Sequence, residues 1–407
     1  MGGGTILERI KEIELEISRT QKNKATTSHL GSLRAKLCKL RRELLEPAAG
    51  SSGGGSAEGF EVSKSGDARV ALIGFPSVGK STILSEFTST KSEAAAYEFT
   101  TLTCIPGVLT HRGCKIQMLD LPGIIEGASQ GKGRGRQVIA VAKSADMVLM
   151  VLDAASGKSE RQKQLLEHEL EVCGLRLNKQ PPNISFKRKA TGGLSVNFMC
   201  KAPSITEKDI NDVCREYKIH NADILIREDL TVDDFCDVIE GNRHYVKCLY
   251  VYNKVDHTSL EEVERICLQP HCTVLSTYMK LNYDVFLDKI WEYLDLVRVY
   301  TKKRGQPPDL SDPLVLTHGR HGTTVEAACR QLHKSLVENH DYSFVWGQSV
   351  KHSPQRCGLG HALADEDVIQ IMVHKVQKKE VDPFNKSTAA PTQSRQQVKK
   401  AKAKLKT

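Results

Sequence analysis

Gly74-Phe75-Pro76-Ser77-Val78-Gly79-Lys80-Ser81 fits the pattern G-x-x-x-x-G-K-[ST] of a phosphate-binding loop. An apolar strand-like run, Arg69-Val-Ala-Leu-Ile73, precedes it, and a helix-like run starts near Thr82. A strand before and a helix after are the context the pattern needs. Gly74 and Gly79 permit backbone conformations closed to other residues. Successive N–H groups can then form an anion nest with a helix N-terminus behind it. Phe75, Pro76, Ser77, Val78 and Thr82 complete the phosphate contacts. Lys80 is expected to reach the β- and γ-phosphates, and the Ser81 hydroxyl to bind Mg²⁺. Strands and helices alternate outward from this loop, which argues an α/β, doubly wound domain with its ligand at the C-terminal strand ends.

A phosphate loop does not separate ATP from GTP. Asn253-Lys254-Val255-Asp256 does, placed after a second apolar strand, Cys248-Leu-Tyr-Val-Tyr252. An ionised carboxylate only accepts hydrogen bonds, so Asp256 matches the N1–H and exocyclic amine of guanine. Adenine would leave that carboxylate buried and unpaired, at a cost of several kcal/mol. The Lys254 stem is expected along the base. Ser276, at the end of Cys272-Thr-Val-Leu-Ser276, is expected near the guanine O6.

Asp120-Leu121-Pro122-Gly123 ends a third apolar strand, Lys115-Ile-Gln-Met-Leu119. Asp120 is the expected acidic partner of Mg²⁺, and the Gly123 N–H the expected sensor of the γ-phosphate. Between these motifs lies Tyr97-Glu-Phe-Thr100-Thr101, where Thr101 is expected as the second Mg²⁺ ligand, with its neighbour Thr100 as the alternative. Lys80, Thr101, Asp120 and Gly123 are thus the candidate catalytic group. Ras-like enzymes follow this last glycine with a Gln that orients the attacking water. Here Ile124 stands there, then Ile125. An apolar side chain does not position water, so intrinsic hydrolysis should be slow, with a cation, a partner or another part of the chain supplying what is missing.

At 407 residues the chain should hold two to four domains. No apolar run approaches 18 residues, so no membrane-spanning helix is expected. Met1-Gly-Gly-Gly-Thr5 lacks the basic-then-apolar layout of a secretory leader. Gly2 does not suit myristoylation, because position 6 is Ile6 and not Ser or Thr. The twelve cysteines carry no CxxC pair and read as reduced thiols of a cytoplasmic protein. The net charge of +9 is uneven: after Pro383 every charged residue is basic, from Lys386 to Lys406. Such a run attracts polyanions, RNA foremost; neither DNA nor a membrane is expected as a partner.

Residues 1–47 read as a helical hairpin, with Ile6, Ile10, Ile13 and Ile17 on one arm and Leu30, Leu33, Leu37, Leu40 and Leu44 on the other. Its apolar seam should pack on the body of the protein or on a partner. Residues 48–66 hold a Gly/Ser linker. The nucleotide domain takes residues 67–174 and 246–297. The seventy or so residues between are too many for a structureless loop, and 175–245 read as an inserted α+β domain. In it Asn183-Ile-Ser-Phe-Lys-Arg-Lys and Gly193-Leu-Ser-Val-Asn-Phe-Met alternate like a hairpin, and Thr206 with Asp209 caps a helix. Lys187-Arg188-Lys189 form a basic strand edge. Residues 298–378 suggest a β-grasp module, in which Thr323-x-x-Glu326 forms a capping box for a helix from Val325 to Val337 and Trp346 belongs to the core. A basic tail covers 379–407.

These blocks resemble the developmentally regulated GTP-binding proteins of the Obg-like GTPases. The resemblance rests on residues 74–81, on Tyr97-Glu-Phe-Thr-Thr-Leu102, on Asp120-Leu-Pro-Gly-Ile-Ile-Glu-Gly127 and on Gly131-Lys-Gly-Arg-Gly-Arg136. Outside the nucleotide domain it extends to Arg19-Thr-Gln-Lys-Asn-Lys-Ala25, Glu216-Tyr-Lys-Ile-His-Asn-Ala222, Val345-Trp-Gly347 and Asp365-Glu-Asp-Val-Ile-Gln370. It implies a P-loop GTPase domain with an N-terminal helical domain, an inserted ribosomal-S5-like domain and a C-terminal TGS domain. It also implies GTP hydrolysis to GDP stimulated by K⁺, association with translating ribosomes and a regulatory partner protein of this family. Two positions depart from the pattern: Ser77, where many potassium-dependent relatives carry Asn, and Ser276-Thr277-Tyr278, where Ser-Cys or Ser-Ala is commoner. Thr301-Lys-Lys-Arg-Gly-Gln306 and Ser353-Pro-Gln-Arg356 look like the second of two eukaryotic groups. A ribosome-assembly GTPase of the Obg kind, and a GTP-dependent scaffold with negligible turnover, stand as alternative functions.

Overall fold

The computed structural model describes residues 5–21, 23, 26–45, 66–88, 105–121, 142–201, 204–318 and 322–374. Thr101, Gly123, Ile124, the linker from 48 to 65 and the basic tail lie outside them. Two helices open the chain, α1 (Ile6–Arg19) and α2 (Thr27–Leu45). At the start of α1, the Glu8 side chain accepts from the Thr5 N–H at 2.8 Å. The helices run antiparallel, joined by Arg41–Glu14 at 2.8 Å. The nucleotide domain then supplies β1 (Ala68–Gly74), α3 (Lys80–Phe87), β2 (Ile105–His111), β3 (Cys114–Asp120), β4 (Met147–Asp153), α4 (Ser159–Val172) and β5 (Leu175–Leu177). The inserted unit, narrower than 175–245 because β5 pairs with the start of β9 in the large sheet, holds β6 (Ile184–Arg188), β7 (Leu194–Phe198), α5 (Glu207–Glu216), β8 (Ala222–Ile226) and α6 (Val232–Glu240). The chain returns through β9 (His244–Asn253), α7 (Leu260–Cys267), β10 (Cys272–Val274) and α8 (Tyr283–Leu294). The last unit is β11 (Leu296–Lys302), β12 (Pro308–Thr317), α9 (Val325–Leu332), α10 (Lys334–Glu338), β13 (His340–Trp346), β14 (Gln355–Cys357) and β15 (Asp367–Val373).

The large sheet runs β10-β9-β4-β1-β3-β2, with β5 also on β9 and only β2 antiparallel. Alternate residues of β1 go to opposite faces. Ala71 and Ile73 join Leu166 and Leu170 of α4, while Val70 and Leu72 join Ile83 of α3 and Phe286 and Ile290 of α8. Both faces are covered, which is why these strands read as continuous apolar runs instead of alternating ones. The fold is the expected doubly wound P-loop GTPase domain, followed by a small sheet that packs on one helix.

The hairpin packs on the body of the chain through a face of α2 other than the row of Leu30, Leu33 and Leu37. Ala35 and Cys38 of α2 are buried against Ile210, Val213 and Cys214 of α5 and Phe235 and Cys236 of α6. Arg34–Asp233, at 3.6 Å, and a hydrogen bond from the Ser28 hydroxyl to Asp212 flank that contact. The inserted unit is tied to the nucleotide domain by Asp237. Its carboxylate accepts from Arg176 at 2.7 and 2.9 Å and from Arg243 at 2.8 Å.

Four local expectations are corrected. The runs now assigned to β6 and β7 do not pair as a hairpin: β8 lies between them, antiparallel to β6 and parallel to β7. Alternation marks which face of a strand is buried but not its neighbour, and the most apolar run, Ala-Asp-Ile-Leu-Ile, takes the central place. Thr206 does cap α5 in a capping box with Asp209. In the last unit the cap of α9 is Thr324, whose hydroxyl oxygen accepts from the Ala327 N–H at 3.3 Å, and not Thr323. The helix also breaks at His333, which is extended (φ −167°, ψ 135°). Trp346 is half-buried and is not a core residue. It stands on the sheet face opposite α9, whereas its neighbour Val345 fills the core.

Candidate nucleotide site

Sheet order and register gather the candidate residues. β1 lies between β3 and β4, so the loop after it opens at the middle of the C-terminal edge. Leu72 pairs with Asp120, Gly74 with Val151, and Asp153 with Asn253. Parallel pairing therefore brings the ends of β1, β3, β4 and β9 to one rim, the crevice where open α/β sheets hold ligands.

The loop is wound tightly. Ser77 and Gly79 have φ of 63° and 98°, a region that costs a non-glycine residue free energy. A Cβ on Gly74 would collide with the Val151 carbonyl, and one on Gly79 with the Asn253 amide. Gly79 is the N-cap of α3 and offers no side chain, so the first N–H groups of the helix face outward, as an anion site requires. Lys80 is buried, with its ammonium donating to the Gly74 and Phe75 carbonyls, both at 2.8 Å. Burial lowers its pKa, and the Asp120 charge opposes that shift. The Ser81 hydroxyl donates to Asp120 Oδ2 at 2.9 Å. Two hard oxygens side by side, one of them ionised, suit a hard divalent cation such as Mg²⁺. Ser77, Ser81 and Thr82 are exposed at the mouth of the loop, and Phe75 is partly buried against the core below.

Asn253 links the loop to the second motif. It is wholly buried, and its amide donates to the Val78 carbonyl at 2.9 Å and to Thr277 Oγ1 at 3.3 Å. Its carbonyl accepts from the Thr277 N–H at 3.2 Å. Lys254 takes a left-handed conformation (φ 64°) and pairs with Asp153 Oδ2 at 2.8 Å. Asp256 accepts from the Ser276 hydroxyl at 2.6 Å. That bond, aided by the Asp256 backbone N–H and the neighbouring His257 and Lys254, holds its carboxyl below the usual carboxylate range. The Ser276 hydroxyl is directed at Asp256, and its oxygen accepts from the Met279 N–H at 3.1 Å, so it orients that carboxylate. Thr101 and Gly123 lie outside the described residues.

Two partners escaped the sequence reading. Asp153 fixes Lys254, and Thr277 shares Asn253. Asp153 did carry a signal: an acid closing an apolar strand of a parallel sheet falls on the ligand rim. Thr277 carried none, because its role depends on where the β10 turn meets β9.

A family model described as "50S ribosome-binding GTPase" matches residues 69–186. Its companion, "C-terminal region of MMR_HSR1 domain", matches 191–296, and the TGS domain matches 297–373. "Developmentally-regulated G-protein 2" of Arabidopsis thaliana is 58% identical over 400 residues, 98% of this chain and 99% of that protein. The chain belongs to the developmentally regulated GTP-binding protein family. A Dictyostelium discoideum member, "Developmentally-regulated GTP-binding protein 2 homolog", is 62% identical over 367 residues, 90% of this chain and 99% of its own length. Among solved structures, the Schizosaccharomyces pombe YchF GTPase matches 76% of this chain and 99% of its own, at 13% identity and a TM-score of 0.43. As a member of the developmentally regulated GTP-binding family, the chain is a GTP-binding protein with a GTPase domain and a TGS domain. No helix among its described residues is long and apolar enough to cross a membrane.

Proposed function

We propose that this chain is a cytoplasmic GTPase that hydrolyses GTP to GDP and phosphate while bound to the ribosome. The observation that carries the enzymatic part is the Asn253 clamp, which ties the phosphate loop to the N-K-x-D loop across the rim. One buried amide thereby sets the distance between a phosphate site and a base site. In this reading the backbone of residues 74–81, Thr82 and Lys80 hold the phosphates, Asp256 accepts from the guanine edge, and the Lys254 stem covers the base. Ser276 and Asp153 orient those two side chains. Ser81 and Asp120 hold Mg²⁺, joined by Thr101; the metal supplies charge neutralisation at the phosphates. The Gly123 N–H senses the terminal phosphate.

Ile124 supplies no water-orienting group, so turnover is proposed to depend on K⁺, on the ribosome or on the family's regulatory partner protein. The ribosomal part draws support from the ribosome-binding description of the matching family model and from the purely basic run after Pro383. The test is single-turnover GTP hydrolysis in K⁺ or Na⁺, with and without ribosomes, beside co-sedimentation in GTP, GDP and a non-hydrolysable analogue. Stimulation together with GTP-dependent co-sedimentation with translating ribosomes is expected. Stimulation by neither would make the protein a scaffold, and sedimentation with precursor subunits alone would make it an assembly factor.

A further inference from the structure

Two cysteines from different elements meet where the hairpin docks. Gly31 of α2 lies so close to α6 that a first side-chain carbon there would touch Val232 at 3.8 Å. One turn on, Arg34 reaches Asp233 at 3.6 Å. After a further turn the Cys38 thiol of α2 meets the Cys236 thiol of α6 and accepts its hydrogen bond. These three contacts advance together along both helices, so the thiol pair is held by the register of the helices. Both thiols are buried in the apolar cluster that joins the hairpin to the inserted unit.

Cys38 also lines a cavity of about 630 Å³ between α2, α4, β5 and α6, wide enough to admit a peroxide. Arg34, Arg41, Arg176 and Arg243 border that cavity, facing Asp233 and Asp237. The hydrogen bond from Cys236 lowers the Cys38 pKa; burial opposes that shift and the Arg243 charge adds to it. The same bond raises the pKa of Cys236. A thiolate is the species that attacks peroxides and disulfides. The two thiols therefore divide the work: Cys38 attacks, and Cys236 stands in contact to resolve the product. Elsewhere, burial pushes the Cys114 and Cys173 thiols up to about 12, which keeps them protonated and inert.

We propose that Cys38 and Cys236 are a peroxide-sensing pair whose disulfide staples the hairpin to the inserted unit. The Cys38 thiolate attacks one oxygen of hydrogen peroxide and the O–O bond breaks. The sulfur is oxidised to a sulfenic acid, and the leaving hydroxide takes up the proton that the thiol gave up. The Cys236 sulfur then attacks the sulfenic sulfur, and its proton leaves with the sulfenic oxygen as water. Two thiols and one hydrogen peroxide thus give one disulfide and two waters. The bond closes a loop of about 200 residues, a large constraint on the unfolded chain, and a thiol reductant reverses it. The proposal goes beyond the GTPase reading and does not rest on it.

The test is peptide mapping of reduced full-length protein after hydrogen peroxide, with alkylation and digestion in the absence of reductant. A peptide pair joined through Cys38 and Cys236 is expected, and dithiothreitol should separate it. Cys114 and Cys173 should remain reduced. The joined protein should unfold about 4 °C or more above the reduced one, and Cys38→Ser or Cys236→Ser should each abolish that gain. In Cys236→Ser, dimedone should trap the sulfenic acid on Cys38. In Cys38→Ser, no adduct should form on Cys236. GTP turnover of the reduced variants should match that of the reduced wild type. Peptide mapping needs no variant, so the test stands should a serine variant unfold.

Three results would overturn the proposal. The first is peroxide leaving both thiols free, or carrying Cys38 to the sulfinic acid with Cys236 still reduced. The second is linkage of either thiol to the exposed Cys267 in preference to the other. The third is a joined pair with no rise in unfolding temperature, which would mean that the thiols meet only after the hairpin has come loose.

Discussion

Replacing Asn253 by Ala tests the clamp on which the site depends. The side chain is fully buried and hydrogen-bonds the Val78 carbonyl and both the hydroxyl and the N–H of Thr277. Removing it strands the Val78 carbonyl, buried behind the loop, and the partly buried Thr277 N–H. A buried polar group left without a partner costs about 1–3 kcal/mol, against about 1 kcal/mol for the net value of an ordinary hydrogen bond. The carbonyl should cost the upper part of that range and the partly wetted N–H the lower, about 2–4 kcal/mol together. Loosening the loop relative to residues 254–256 should also weaken GDP binding by about tenfold or more, since each 1.4 kcal/mol is tenfold in affinity. Urea unfolding of the nucleotide domain gives the first quantity and titration with a fluorescent GDP the second. Asn253→Asp is the sharper variant. It keeps the volume and the acceptor for Thr277 but sets a carboxylate oxygen against the Val78 carbonyl, so it should lose at least as much. Wild-type stability and affinity in Asn253→Asp would refute the reasoning, because the clamp would then not depend on its donor.

Asp153→Ala should weaken GDP binding about threefold to tenfold by freeing the Lys254 ammonium, a partly exposed pair worth about 1 kcal/mol; a double-mutant cycle with Lys254→Ala that shows no coupling would remove the role assigned to Asp153. Ser276→Ala should raise the Asp256 pKa. A carboxylate whose folded pKa is depressed contributes above its unfolded pKa and is lost as pH falls through the folded one, so the acid limb of GDP binding should move to higher pH, and an unmoved limb counts against the bond. Asp237→Ala should destabilise the inserted unit by about 3–5 kcal/mol, because it takes the buried carboxylate from Arg176 and leaves Arg243 with Glu240 alone; denaturant unfolding measures it. Ile124→Ala should change GTP turnover far less than Lys80→Ala or Asp120→Ala, and equal losses in the three would show that Ile124 has a catalytic part.

Much of this protein was legible in residues 74–81 and 253–256, because a phosphate cradle needs glycine, lysine and a hydroxyl at fixed spacing along a few turns of backbone. The alternation of strands and helices, the capping of α5 by Thr206 and the hairpin of α1 and α2 follow likewise from periods that the chain displays locally. What stayed hidden depends on which segments meet. β6 and β7 alternate correctly but pair through β8. Trp346 is apolar and large, yet it faces outward because Val345 and not Trp346 points to α9. Ser276 is a hydroxyl at the expected place, aimed at Asp256 because the β10 turn closes on the end of β9.

Local sequence therefore settled that this chain binds a guanine nucleotide and is built on a doubly wound sheet, since backbone conformation and side-chain chemistry at each motif are short-range properties. The tertiary structure alone decided where the hairpin docks, which residues orient Lys254 and Asp256, and which sheet face is left open. Those depend on contacts between residues up to about two hundred positions apart, and no local pattern encodes the distance between the end of one strand and the turn beside another.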